Sequence, residues 1–201
     1  MQYQLTPLEK NIQELYNFLE IDSPKDIDME YIADKLDIWI HYWDRESKMH
    51  CANGLYSIIL DKRKSKVEQW LDFAHELGHV VSHVGNQNKM YYLFKKLQER
   101  QAHNFMYHFC VPTFMLLNYQ LNEFANIEDG VYFISETFNV NEEFARVRLC
   151  HFRNQLLLAK SDAEHRAYME SRYSKASPYS KETLDVLDKL NYLIAKRKGA
   201  I

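Results

Sequence analysis

Helix breakers are scarce in this chain, with five glycines and four prolines among 201 residues. That scarcity excludes collagen-like and low-complexity chains and favours helix. Cysteine is sparse too. Cys51, Cys110 and Cys150 are odd in number, widely spaced and free of any C-x-x-C pairing, which argues against a disulfide framework and a cysteine zinc knuckle and leaves buried thiols in a reducing compartment as the reading. No stretch approaches the roughly 18 apolar residues of a membrane span, and the start MQYQLTPLEKNIQEL has no basic segment leading into an apolar one. A soluble, unexported, cytoplasmic protein with no membrane partner is expected. Excess positive charge is also missing. The formal net charge is -3, which gives no general pull toward nucleic acid, and the basic run Lys196, Arg197, Lys198 reads as a favourable helix ending.

What is present is a globular mixture, 46% hydrophobic and 26% charged, long enough to bury a proper core. Leu8, Ile12, Leu15, Tyr16 and Leu19 are spaced by three and four, which predicts an amphipathic helix. A short helix is expected over 28–36. DIWIHYWD then alternates as a strand, read here as covered on both faces, and Asn53-Gly54 marks a tight turn into the apolar strand LYSIIL. From Lys66 to about Val84 the spacing is helical again. Gly85–Asn88 closes that helix, a second long one runs from about Met90 to Cys110, and Pro112 stops it. Further helices are expected over 114–125, 128–138 and 141–160, with Asn141 as an N-cap, and over about 180–197. Small and polar residues at 173–181 mark a soft boundary.

Chemistry is concentrated in His75-Glu76-Leu77-Gly78-His79. On a helix His75 and His79 lie about 40° apart around the axis and one turn apart along it, so both imidazoles reach one ion. Glu76 points too far round to be a comfortable ligand, but it can touch a water at that ion, the general-base position of the H-E-x-x-H metalloprotease pattern. A catalytic zinc needs a third protein ligand and an open position. His83 lies about 12 Å along the axis from His75, too far to converge with it. The metzincin arrangement would need glycine and histidine where this chain has Ser82 and Gly85. A ligand from the second long helix remains, where Glu99 and His103 share a face; Glu99 is preferred, with His103 beside or behind it.

LDFAHELGHVVSH followed by ERQAHNFMYHFCVP resembles the ImmA/IrrE family of zinc peptidases, whose HE-x-GH is followed by E-x-x-A-(Asn or Asp)-x-F-A and a helix-ending proline. Glu99, Ala102, Phe105 and Pro112 match in register, and the likeness covers about residues 28–158, including VYFISETFNVNEEFARVRLCHF. It implies an α+β fold: a mostly helical zincin-like domain with a small sheet before the H-E-x-x-H helix, then a helical module. The expected divisions are a metallopeptidase core over 1–112, a helical module over 113–160 and a helical tail over 161–201.

The resemblance also implies that His75, His79 and Glu99 bind Zn2+ and that Glu76 takes the proton of the attacking water. His103 replaces the family's Asn or Asp and Met106 its usual alanine. His103 is then a hydrogen-bond partner of a ligand, a donor to the oxyanion, or an exposed helix residue. The implied substrate is a protein, an Xre-like or phage-type DNA-binding repressor whose cleavage derepresses transcription. The alternative is a non-cleaving, zinc-bound partner that sequesters a transcriptional regulator. Direct DNA binding is not expected, because Arg146, Arg148 and Arg153 after the turn at 139–141 are too few to hold a duplex.

Overall fold

The structure, a computed structural model, describes residues 3–82, 92–119, 127–173 and 178–197. Its elements are α1 (Pro7–Phe18), α2 (Met29–Lys35), β1 (Ile38–Trp43), β2 (Lys48–Ala52), β3 (Leu55–Asp61), α3 (Lys66–Ser82), α4 (Tyr92–Cys110), α5 (Thr113–Leu116), α6 (Ile127–Phe138), α7 (Glu142–Arg172) and α8 (Lys181–Arg197). It is a mostly helical α+β fold with one small early sheet. The chain forms two compact units, Met1–Ala159 and Lys160–Ile201, divided within α7.

Local sequence explains many of the ends. Thr6 and Glu9 close a reciprocal capping box on α1, with Pro7 in the first turn. Asn53 and Gly54 both have positive φ, 53° and 81°, so they form the mirror-image turn that joins β2 to β3 as a tight hairpin. Asn141 accepts the Phe144 N–H at 2.8 Å and caps α7.

The sheet order is β1-β3-β2. The central strand, β3, pairs in parallel with β1, Ile38 opposite Tyr56 and Tyr42 opposite Leu60, and antiparallel with β2, Met49 opposite Ile58. One face packs on α3. The other carries Trp39, Trp43 and Leu55, all exposed. The expectation that β1 is covered on both faces is therefore wrong: a three-stranded sheet with helices on one side leaves the alternate residues in water. Three further readings change. The helix expected over 141–160 runs on to Arg172. Lys48–Ala52 is a strand the sequence pattern did not mark, and the helix expected over 114–125 is reduced to α5, followed by a turn at 117–119. The turn at 85–88 and residues 120–125 lie outside the described residues.

The core of the first unit joins Ile12 and Tyr16 of α1, Ile32 of α2, Ile58 and Leu60 of β3, Phe73 and Leu77 of α3, Phe105 and Phe109 of α4, Ile134 of α6 and Phe144 of α7. The Tyr16 hydroxyl donates to the Phe109 carbonyl at 2.8 Å, tying α1 to the end of α4. α3 and α4 make the most extensive helix pair, and they carry the candidate site.

Candidate metal centre

α3 is amphipathic, with Phe73, Ala74 and Leu77 wholly buried. His75 is partly buried and His79 buried beside that face, and their Nε2 atoms come within 3.2 Å of each other. From α4, Glu99 Oε2 lies 3.4 Å from the first and 3.5 Å from the second. The three residues expected as a set are thus brought together as three atoms in a nearly equilateral triangle. His83 falls outside the described residues. His108, nine residues past Glu99, projects from the opposite side of α4 and takes no part.

The approach of α4 depends on Gly78. A methyl at that position would lie 3.1 Å from the Ala102 Cα, 3.2 Å from the Ala102 carbonyl oxygen and 3.1 Å from a ring carbon of Phe105. The mid-helix glycine is therefore a site of close backbone approach, next to His79, three residues after His75 and beside the helix that delivers Glu99.

The donor set fits a divalent ion. Tetrahedral zinc with bonds of about 2.0–2.1 Å holds its ligands about 3.4 Å apart, the same spacing as the triangle. Two imidazole nitrogens and a carboxylate oxygen this close can share at most one or two protons, so their lone pairs need a common positive charge. Burial pushes the His75 pKa down, the neighbouring His103 lowers it further, and Glu99 opposes both. The neutral imidazole, the form that ligates, is favoured. His75 Nδ1 is buried with no hydrogen-bond partner among the described residues.

Glu76 lies apart from the triangle. Its Oε2 accepts the Met49 N–H of β2 at 2.7 Å. Burial raises its pKa to about 7, and Glu99 and Asp72 add to the effect while the Met49 bond and Lys48 oppose it. A carboxyl poised near neutrality is suited to both accepting and returning a proton. His103, one turn beyond Glu99 on α4, places its ring 4.5 Å from that of His75 and is exposed to solvent.

Sequence reasoning missed the Met49 contact, because a backbone N–H carries no residue signature. It also missed a buried polar network on the far side of α4. Arg148 donates to the Val111 carbonyl at 3.0 Å and to Thr113 Oγ1 at 2.7 Å; Thr113 in turn donates to Glu9. Glu9 also receives the Tyr3 hydroxyl and the Thr6 N–H, and His108 Nδ1 lies 3.6 Å from it. A signal existed: Arg148 shares a helical stripe with Phe144, Ala145 and Phe152. It is entirely buried, and Arg146 is ion-paired with Glu128, so neither forms an open basic face.

An H-E-x-x-H helix backed by a second helix that brings a carboxylate to both histidines is the arrangement of a metallopeptidase domain. The chain belongs to the ImmA/IrrE peptidase family: residues 33–150 match Peptidase_M78, described as the IrrE N-terminal-like domain. It is similar to the phage-like element PBSX protein XkdA of Bacillus subtilis (strain 168), 48% identical over 151 residues that make up 75% of each chain. It is also similar to YqaB of the same organism, 36% identical over 156 residues, 78% of this chain and 90% of that one. Among solved structures, a Mycobacterium tuberculosis transcriptional regulator shares the fold with a TM-score of 0.50 and 12% identity, over 71% of this chain and 46% of that one. Among the described residues, no helix is long and apolar enough to cross a membrane.

Proposed function

We propose that this protein is a zinc-dependent endopeptidase that hydrolyses a peptide bond in a protein substrate, a DNA-binding repressor of a phage or mobile element, and so derepresses transcription. The observation that carries the reading is the convergence of His75, His79 and Glu99 at 3.2 to 3.5 Å, with Glu76 held just outside the triangle. The repressor rests on the family resemblance and on the phage-like element named for XkdA.

His75, His79 and Glu99 would hold the zinc. When bound, zinc supplies Lewis-acid chemistry, acidifying a water and polarising a carbonyl. Glu76 accepts the proton of the attacking water and passes it to the leaving amine. Its Oε2 is fixed by Met49, so the free Oε1 is the atom that takes the proton. Burial holds this carboxylate close to neutrality and excludes competing water.

The same contact suggests where the peptide lies. β2 is an edge strand, and Met49 directs its N–H to Glu76 and away from β3. By the alternation of an antiparallel ladder, Met49 and Cys51 therefore turn their backbone groups toward the free edge. An extended substrate segment adds to that edge by main-chain hydrogen bonds and passes beside Glu76. His103, whose ring lies 4.5 Å from that of His75, would donate to the oxyanion or steady His75.

The test combines metal analysis with cleavage of a repressor encoded beside the protein. Glu76→Gln is expected to keep zinc and fold while cleavage falls by at least a hundredfold, about the loss seen when a general base is removed. A biological effect undiminished in that variant would sink the peptidase reading and leave sequestration of the regulator in its place.

A further inference from the structure

The second compact unit carries an apolar surface that nothing among the described residues covers. α8 reads KETLDVLDKLNYLIAKR and has no buried residue. Leu184, Val186, Leu187, Leu190, Leu193 and Ile194 are all exposed, from 36% to 64%. At about 100° per residue these six fall on one half of the helix circumference, and Lys181, Glu182, Asp185, Asp188, Lys189 and Lys196 fall on the other. Seventeen residues make a helix that is marginal alone in water. Its apolar half-cylinder, wider than a two-residue seam, has to be covered for the helix to persist.

Charge decides what covers it. Glu182, Asp185 and Asp188 occupy the first half of α8, while Lys189, Lys196 and Arg197 occupy the second, with Lys181 the exception. A parallel copy would set acid on acid and base on base. In an antiparallel copy Glu182, which borders the apolar half, comes beside Lys196 and Arg197 of the other chain. A two-fold axis at Leu190 would place Leu190 on its own copy, Val186 near Ile194 and Leu187 near Leu193, with Leu184 at the end of the contact beside Lys196. Such a contact is isologous and closes at two chains. A membrane surface fits less well, because the polar face carries as many carboxylates as lysines and so has no net positive charge to hold anionic lipid.

We infer that α8 is a self-association helix, pairing antiparallel with α8 of a second copy of this chain. The full-length protein in sedimentation equilibrium, at micromolar concentrations, is expected to reach twice its 24.1 kDa chain mass. Leu190→Asp brings two carboxylates together at the axis and is expected to weaken the dimer at least tenfold; circular dichroism checks that the fold survives. Glu182→Lys, and separately Lys196→Glu with Arg197→Glu, should each weaken association, and mixing the two variant proteins should restore it. A wild-type chain that stays monomeric, or a dimer indifferent to Leu190→Asp, overturns the assignment. Charge variants that each associate like the wild type overturn the antiparallel arrangement. A monomer that co-sediments with phosphatidylserine vesicles assigns the face to lipid and overturns the dimer.

Discussion

Gly78→Ala sets two known effects against each other at the centre of the site. In an exposed helix interior, alanine would stabilise α3 by about 1 kcal/mol relative to glycine. Here the new methyl meets the Ala102 Cα and the Phe105 ring, each at 3.1 Å. Phe105 cannot swing aside, because it is 3% exposed and stacked on Phe109. Ala102 offers backbone, which yields only if α4 moves. Overpacking of this kind costs about 1–3 kcal/mol, so the cost is expected to exceed the propensity gain, for a net loss of about 1 kcal/mol. Relief by separating the helices carries Glu99, three residues before Ala102, away from both Nε2 atoms. Urea unfolding of the metal-free protein should therefore show a lower midpoint, and competitive zinc titration should show affinity reduced about tenfold, equivalent to 1.4 kcal/mol. A variant stabilised by about 1 kcal/mol with unchanged zinc affinity would refute the claim that this glycine exists to bring α4 close.

The buried network gives two further expectations. Burial lowers the His108 pKa to about 4, with Arg148 and His151 acting in the same direction and Glu9 opposing them. A histidine depressed in the folded state contributes stability that is full above its unfolded value near 6.5 and is lost as pH falls toward 4. About 3 kcal/mol should disappear across that window; thermal melts of His108→Gln should lack this component, and an equally steep decline in that variant would place it elsewhere. Thr113→Val removes the hydroxyl between Arg148 and Glu9 and leaves buried charge unsatisfied, with an expected loss of about 2–3 kcal/mol in urea, whereas Thr113→Ser should lose little. Zinc retention followed by equilibrium dialysis should survive at about pH 6, because His75 is shifted below the ordinary histidine range, and fall at lower pH as His75 takes up a proton; retention unchanged down to the pH at which the fold is lost would count against a histidine ligand.

Elements whose sequence carries its own periodicity or punctuation were legible. α1 and α3 follow from three-four spacing, the end of α4 from Pro112, and the β2–β3 turn from Asn53-Gly54, which few other dipeptides replace. The failures share a cause. Lys48–Ala52 alternates too weakly to read as a strand, with Lys48, His50, Cys51 and Ala52 all exposed; it is a strand because β3 offers it a hydrogen-bonding partner. β1 reads as apolar throughout because Trp39 and Trp43 look like core residues, yet a small sheet covered on one side must expose one set of alternate positions. A run such as 114–125 gives no sign that its helix stops at Leu116.

The site shows the same division between local and non-local information. His75, Glu76 and His79 are fixed by spacing within one helix, so geometry could be assigned to them before any fold was known. Glu99 belongs to another helix, where it shares a face with His103, and the linked motif around Ala102 and Phe105 supports choosing it. The structure supplies the physical reason for that linkage: Ala102 and Phe105 are the residues that a side chain at position 78 would collide with. The glycine of one motif and the small and aromatic residues of the other are two halves of a single contact that sets the distance between ligand helices. Met49 completes the arrangement from a third element, through a backbone N–H that any residue but proline would supply. Replacing Met49 by another apolar residue should therefore leave Glu76 in place, whereas Met49→Pro should release it and lower cleavage while leaving the zinc ligands untouched. Full activity in Met49→Pro, measured with folded protein of normal zinc content, would show that this hydrogen bond does not position Glu76.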